Sequence, residues 1–577
     1  MASMTEPVLI QRPQRWDAPF GPNMSEVQVQ GVLQLEPFCN MDPDKFSRAT
    51  PLADIIRNDT RIRNYRNGDI IVRADDYGDS AFIVIEGIVR VVTRPGLSER
   101  LLGRTTTKKK GFFEVLRQLW SNPRDPEVRD PTRYGARRET GSRQHGTDET
   151  HVFLQDVPAV LEHHRTVRLG AGEMFGEIAA LGRTPRTATV FADGDVELLE
   201  LRWQGLRDIR RRDDEFRQHV DHLYRERGQK EYLRSTPLFR GLGASDLAKI
   251  ADETLFETYG DFDWHTKYKK LAEASAAERL AEEPVIAQEG SYPDGVLLIR
   301  SGFARVSVQV GNGHRTISYL GRGQAFGFEE IAHNWRFDET VPYQRTLRAV
   351  GYVDVLRVPT SIMEEYVLPN MPPDQLPPPI EARGAAGSVA DVSDEASGIK
   401  PGMLEFLVEN RYINGTATML INLDRCVRCD DCVKACAATH GGNPRFNRHG
   451  RRYGRYMVAN ACMHCVDPVC MIGCPTGAIS RSSLGGQVVI NDDTCIGCAT
   501  CANSCPYDNI RMVEIRNDRG AFILDEDTNR PIVKATKCDL CIDQMGGPAC
   551  QRACPHDALE RVDMRDLPAL ADWLNRE

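Results

Sequence analysis

Long apolar runs are missing from this sequence. The nearest approach, GVLLIRSGFARVSVQV, is broken by Arg300 and Arg305, well short of the ~18 apolar residues that a membrane helix needs. The start, MASMTEPVLIQRPQRW, has neither a basic n-region followed by an apolar stretch nor a twin arginine. A cytoplasmic chain is therefore expected, one still able to dock on a membrane-bound partner. Positive charge is also in deficit: the net charge of −9 argues against non-specific nucleic-acid binding. No stretch reads as a helix-turn-helix, a Rossmann glycine motif, a flavin signature or a separate catalytic constellation, so substrate chemistry by this chain alone is not expected. Cysteine is scarce over most of the length. Cys39 stands alone, and the other sixteen lie between Cys426 and Cys554. In a reducing compartment such confinement points to metal rather than disulfides.

What is present divides the 577 residues into several domains, since one core does not serve so long a chain. Residues 1–50 are mixed and Pro-containing, an arm expected to pack on another domain. From about 61, glycine-broken β runs such as NGDIIVRADDYGDSAFIVIEGIVRVV and VRLGAGEMFGEIAALG indicate a small antiparallel barrel or jelly roll. A basic and polar stretch over about 94–160, including Lys108 to Lys110, reads as a partly disordered surface insertion. Leu206, Ile209, Phe216, Val220 and Leu223 then follow helical spacing over 206–234. The block at 235–368 repeats the first: VIAQEGSYPDGVLLIRSGFARVSVQV and LGRGQAFGFEEIA echo its strands and its glycine turn. A Pro-rich linker spans 369–400, and the cysteine-rich domain occupies 401–577.

FGEIAALGRTPRTATV, from Phe175 to Val190, has the parts a phosphate requires. Gly176 permits close backbone approach, EIAAL forms a short helical turn, and Arg186 offers a planar fork. Glu177 is placed to accept hydrogen bonds from ribose hydroxyls. The segment resembles the phosphate-binding cassette of cyclic-nucleotide-binding domains of kinase regulatory subunits and catabolite-activator regulators. The glycine-punctuated strands before it, with Gly68 and Gly87, fit as well. The resemblance implies that Glu177 holds the ribose and Arg186 the cyclic phosphate. Thr187, where cyclic-GMP-binding members often carry threonine, hints at guanine, with cyclic AMP left open. The plain structural alternative is a surface ion pair on a barrel kept as scaffold. In the second block Glu330 and Arg345 are the best equivalents, yet they stand fifteen residues apart rather than nine. A degenerate, empty domain is expected there.

The sixteen cysteines fall into four groups. Cys426, Cys429, Cys432 and Cys436 form the first; Cys462, Cys465, Cys470 and Cys474 the second. Cys495, Cys498, Cys501 and Cys505 form the third; Cys538, Cys541, Cys550 and Cys554 the fourth. The first and third follow C-x2-C-x2-C-x3-C, the bacterial ferredoxin spacing, in which the fourth thiolate reaches a different cubane. Zinc ribbons need only paired C-x2-C motifs and leave the remaining cysteines unexplained. LINLDRCVRCDDCVKAC and MHCVDPVCMIGCPTGAI resemble the iron–sulfur electron-transfer subunits of the dimethyl sulfoxide reductase and formate dehydrogenase class, over about 418–560. That resemblance implies four [4Fe–4S] clusters: one on Cys426, Cys429, Cys432 and Cys554, another on Cys436, Cys538, Cys541 and Cys550. A third takes Cys462, Cys465, Cys470 and Cys505, and the fourth Cys474, Cys495, Cys498 and Cys501. His440, His449 and His464, near these groups, are expected at the surface or behind the ligands.

The fold class expected is thus multidomain, with two β jelly-roll cyclic-nucleotide-binding barrels and flanking helices, then an α+β double bacterial-ferredoxin-like domain. Three functions compete: an electron-transfer subunit with nucleotide-sensing barrels, a redox-sensing signalling protein, and an electron-transfer subunit whose barrels only dock. Four clusters favour a wire, because a sensor needs one. The wire implies a catalytic oxidoreductase subunit and an electron donor or acceptor protein as partners.

Overall fold

The computed structural model describes residues 8–10, 20, 24–92, 125–130, 154 and 157–576, less positions 49, 75, 77, 79, 183–184, 262–263, 272–273, 312, 338–339, 381–397, 473, 483–485 and 545. Most of the expected surface insertion, Lys108 to Lys110 included, and the later part of the linker lie outside the described residues.

Two facing four-stranded sheets make each β domain. In the first, strands Thr60–Tyr65, Val196–Arg202, Ser80–Glu86 and Met174–Phe175 lie in that order, opposite Ile70–Val72, Thr189–Ala192, Val89–Val92 and Thr166–Leu169. The second repeats the order strand for strand: Leu255–Tyr259, Val353–Pro359, Gly295–Ser301 and Ala325–Phe326 face Val285–Ala287, Thr346–Ala349, Ala304–Val310 and Gly313–Leu320. Alternating apolar residues cause this arrangement. Phe82, Val84, Leu198 and Val190 turn inward in the first domain, and Leu297, Ile299, Leu347 and Val355 in the second, all buried.

The apolar spacing after the first barrel predicts one helix over 206–234; two are found, Trp203–Arg210 and Asp214–Ser235. Asp213 ends the continuity, because its carboxylate accepts from the Phe216 N–H at 2.8 Å and starts a new helix. The longer helix ties the barrels together. Tyr232 on it bonds the carbonyl of Ile299 and the N–H of Gly323, 2.5 and 2.9 Å away. The first part of the proline stretch packs on the second barrel, where Met371 and Leu376 join its core.

The cysteine-rich domain has the sheet Asn447–Tyr453, Tyr456–Asn460, Thr418–Asn422 and Leu559–Val562, with shorter pairs Ile479–Arg481/Val488–Ile490 and Arg511–Glu514/Val533–Thr536. It shares a core with the second barrel: Phe303, Tyr319 and Val350 pack among Leu404, Leu407, Ile413 and Trp573. The first barrel side is joined differently. Strand Val8–Ile10 runs parallel to Ile523–Asp525, so this much of the N-terminal arm packs on the C-terminal domain. Val128, within the stretch expected as an insertion, bridges to Arg516. Beside it buried Glu127 pairs with Arg129 at 2.8 Å and with Arg445 at 3.4 Å. No helix of the described residues is long and apolar enough to cross a membrane.

Candidate functional site

In the first barrel the chain turns at Gly176, with φ +82°, out of strand Met174–Phe175 and into helix Glu177–Gly182. Arg186 returns beneath this turn. Its N–H donates to Asp76 O at 2.7 Å and its Nη1 to Gly176 O at 2.7 Å, while its guanidinium lies 5.8 Å from the Phe82 ring centre. A Cβ on Gly176 or Gly78 would stand 2.7 or 2.3 Å from that guanidinium, and at Gly176 the positive φ disfavours any other residue as well. Glu177 is 1% exposed. Its Oε2 is buried without a hydrogen-bond partner, and Arg227 Nη1, held by Met174 O at 2.5 Å, is 3.5 Å from its Oε1. Burial pushes the Glu177 carboxyl above its ordinary pKa, against the opposing charges of Arg227 and Arg186. The structure therefore gathers Gly176, Glu177 and Arg186 in one cradle, with half-buried Thr187 directly after. An orphaned carboxylate oxygen beside a guanidinium suits a ligand that brings both hydroxyl donors and an anion.

The second barrel repeats the backbone and replaces the chemistry. Gly327, at φ +84°, follows strand Ala325–Phe326 and leads into helix Phe328–Phe337. Tyr343 enters where Arg186 enters above: its N–H donates to Ser291 O at 2.9 Å, four residues before the strand-opening Gly295, as Asp76 is before Ser80. Its hydroxyl donates to Gly295 O at 2.8 Å, and its ring lies 5.3 Å from that of Phe326. A Cβ on Gly327 would meet this ring at 2.7 Å. Glu330 and Arg345 are not brought together. Glu330 Oε1 accepts from the Gln344 N–H at 3.1 Å, and Arg345 Nη2 reaches Glu329 at 3.3 Å. The residue placed like Glu177, directly after the glycine, is Phe328.

The cysteines gather across the sequence groups. One small cavity is lined by Cys426, Cys429, Cys432 and Cys554, and another by Cys474, Cys495, Cys498 and Cys501. The other two gatherings are visible through charge. Burial and the neighbouring Cys538, Cys550 and Cys541 push the Cys436 thiol up; burial with Cys462, Cys505 and Cys470 does the same to Cys465. Likewise burial, with Cys554 and Cys426 adjacent, raises Cys432 to about 11, and with Cys474, Cys495 and Cys498 adjacent raises Cys501 to about 12. Thiols so crowded stay protonated unless a cationic centre compensates them, so the donor set fits metal. Short helices present the inner ligands: Cys432 and Cys436 on Asp431–Thr439, Cys501 on Thr500–Ser504 and Cys550 on Ala549–Arg552. The loops between take left-handed turns at Arg428, Asp430, His464, Ala499 and Leu540, which strain the backbone around each site. Of the sixteen, only Cys429 and Cys498 are exposed.

His464 is 1% exposed and accepts the Val488 N–H on Nδ1 at 3.0 Å; burial lowers its pKa well below the ordinary range. His440 bonds Asp539 at 2.9 Å, and His449 is exposed. Residues not anticipated from sequence are Arg227, Tyr343, and the pair Arg202 and Gln204. Gln204 Nε2 donates to the carbonyl of Cys474, and Arg202 Nη1 to that of Thr476, both at 3.3 Å. Asp59, fully buried, pairs with Arg202 at 2.5 Å. Sequence carried only a weak signal for these, an arginine closing an apolar strand.

Two family models match: the cyclic nucleotide-binding domain over residues 160–213 and 277–369, and the 4Fe-4S dicluster domain over 454–564. The fold and site thus define an iron–sulfur electron-transfer protein carrying cyclic-nucleotide-binding domains. Through its C-terminal part the chain belongs to the family of the electron transport protein HydN of Escherichia coli, to which it is 34% identical over 177 residues, 28% of this chain and 93% of the relative. It is 30% identical to the beta subunit of the NADH-dependent phenylglyoxylate dehydrogenase of Aromatoleum evansii, over 27% of this chain and 33% of that one. The regulatory domain of Toxoplasma gondii PKA, solved with cAMP, aligns over 60% of this chain and 94% of its own at 16% identity and a TM-score of 0.19.

Proposed function

We propose that this chain is the electron-transfer subunit of a multisubunit oxidoreductase, with four [4Fe–4S] clusters, and that its first barrel reports a cyclic nucleotide to them. Each cluster supplies a one-electron centre when bound. The ligand sets are those expected from the resemblance: Cys426, Cys429, Cys432 and Cys554; Cys436, Cys538, Cys541 and Cys550; Cys462, Cys465, Cys470 and Cys505; Cys474, Cys495, Cys498 and Cys501. Catalysis belongs to a partner chain, in keeping with the beta-subunit relative, and a separate protein gives or takes the electrons. Cys429 and Cys498, exposed where the other ligands are buried or half-buried, mark the two ends at which electrons enter and leave.

The observation that carries the regulatory half is the contact of Arg202 and Gln204 with the carbonyls of Thr476 and Cys474. Arg202 closes a strand of the first barrel and Gln204 lies at the start of the helix that follows, and the carbonyls belong to a cluster loop. In the pocket, Arg186 holds the cyclic phosphate and Glu177 the ribose hydroxyls, displacing Arg227 from the carboxylate; Thr187 favours guanine over adenine. The helix bearing Arg227 packs on the one bearing Gln204, so a change in the pocket reaches the loop. For the second barrel we favour the docking reading; the place of Tyr343 in its cradle and the core it shares with the C-terminal domain support it.

Anaerobic iron and sulfide analysis should give about sixteen irons per chain. Cys554→Ala should damage the site on Cys426, Cys429 and Cys432 and leave that on Cys436, Cys538, Cys541 and Cys550 intact by paramagnetic resonance. Zinc with little iron or sulfide would overturn the wire. Cyclic nucleotide should shift the midpoint of one cluster, and Gln204→Leu should remove that shift while leaving nucleotide affinity unchanged. A shift that survives the substitution would sink the proposed route.

A further inference from the structure

Two of the four cysteine gatherings meet at a junction supplied with positive charge. Arg561, on strand Leu559–Val562, spans it: Nη2 donates to Cys538 Sγ at 3.1 Å, and Nη1 to the carbonyls of Cys462 at 3.1 Å and Ala417 at 3.0 Å. Cys538 gathers with Cys436, Cys541 and Cys550, while Cys462 gathers with Cys465, Cys470 and Cys505. The guanidinium thus touches the sulfur of one gathering and the backbone of the other. Buried Lys537 stands alongside, its Nζ donating to the carbonyls of Cys538, at 3.0 Å, and Val488. Among the described residues no carboxylate pairs with Arg561, while Asp539, itself paired with His440 at 2.9 Å, acts on Lys537 from further off. Elsewhere the pattern differs. Arg448, near Cys426 and Cys432, is paired with Asp430 at 2.7 Å, and Lys534 serves a single gathering through the Cys495 carbonyl at 2.5 Å.

A poorly solvated cation without a protein anion is costly, so the anions that Arg561 answers are the cluster sites themselves. Hydrogen bonds to ligand sulfur and nearby positive charge both favour the reduced, more negative cluster. We propose that Arg561 is a counter-charge shared by the two inner clusters, holding both reduction potentials up together, with Lys537 in support. It is a positioning residue and ligates nothing. The inference rests on the four-cluster reading, and iron content tests that reading separately from the potentials.

The test is a redox titration of the full, anaerobically prepared protein followed by paramagnetic resonance, with Cys474→Ser marking an end cluster. Arg561→Gln should make two of the four clusters about tenfold harder to reduce, a fall of about 59 mV for one electron, with iron content unchanged. Arg561→Lys, which keeps the charge, should recover most of the fall. Lys537→Gln should move the same two clusters by less. Four unchanged midpoints at full iron content, a shift confined to an end cluster, or a shift of one inner cluster alone would each overturn the shared role. Loss of iron in both Arg561→Gln and Lys537→Gln would also overturn it, since a tuning charge is dispensable for ligation.

Discussion

The two barrels have one strand order and one glycine turn, yet they differ at the place beneath that turn. Arg186 occupies it in the first and Tyr343 in the second. Each group reaches back to a backbone carbonyl of the cradle, and each lies beneath a glycine whose positive φ disfavours any other residue. Arginine leaves a charged face for an anion; tyrosine closes the same space with an apolar ring whose hydroxyl is already satisfied. The same frame thus carries two different occupants, Arg186 with Glu177 in the first barrel and Tyr343 with Phe328 in the second.

The largest expected effect breaks the comparison on the second side. Tyr343→Ala should cost about 3–5 kcal/mol of stability, as removal of a buried aromatic does, measurable by denaturant unfolding with cluster content monitored. Nucleotide stoichiometry should stay at one site per chain. Next, Arg186→Ala should weaken cyclic-nucleotide binding by about 2–3 kcal/mol, roughly 100-fold, through loss of a charge-assisted phosphate contact. Arg345→Ala should leave calorimetric titration unchanged; equal losses in both variants would abolish the asymmetry.

A smaller effect concerns pH. The Glu177 carboxyl is raised in the folded protein by burial, so the folded state binds more protons than the unfolded chain above the ordinary carboxylate pKa. The stability contributed by this group is therefore present at low pH and declines as pH rises through the raised value. Ribose hydroxyls favour the ionised form, so nucleotide affinity should increase over the same interval, and Glu177→Gln should flatten the profile. Smallest of all, Thr187→Ala should weaken cyclic GMP more than cyclic AMP, by about 1 kcal/mol for one neutral hydrogen bond. Equal losses would remove the preference.

The repeat, the cassette and the four cysteine groups were legible because their signals are local. Glycine turns, strand periodicity and C-x2-C spacing are each set within a few residues. Tyr343 was not, since its equivalence to Arg186 rests on its backbone bond to Ser291, which spacing does not fix. Counting toward the nearest arginine led to Arg345, two positions beyond. Gln204, Arg202 and Arg561 were hidden for another reason. Their partners in the cysteine-rich domain are backbone carbonyls and a sulfur up to 274 residues away, and a carbonyl has no residue type to recognise. The split at Asp213 was readable in principle, as an acidic cap within an otherwise helical spacing.

Strand Val8–Ile10 has its partner at Ile523–Asp525, about 515 residues further along. A ribosome moving at about 5–20 residues per second delivers that partner roughly half a minute to two minutes after the strand emerges. For that time the segment has no sheet to join, and the first barrel can fold while it waits. A C-terminal fragment beginning near 401 would, for the same reason, be left with an open sheet edge at Ile523–Asp525, a template for pairing with another copy. The sequence that closes the ferredoxin domain is made first and used last.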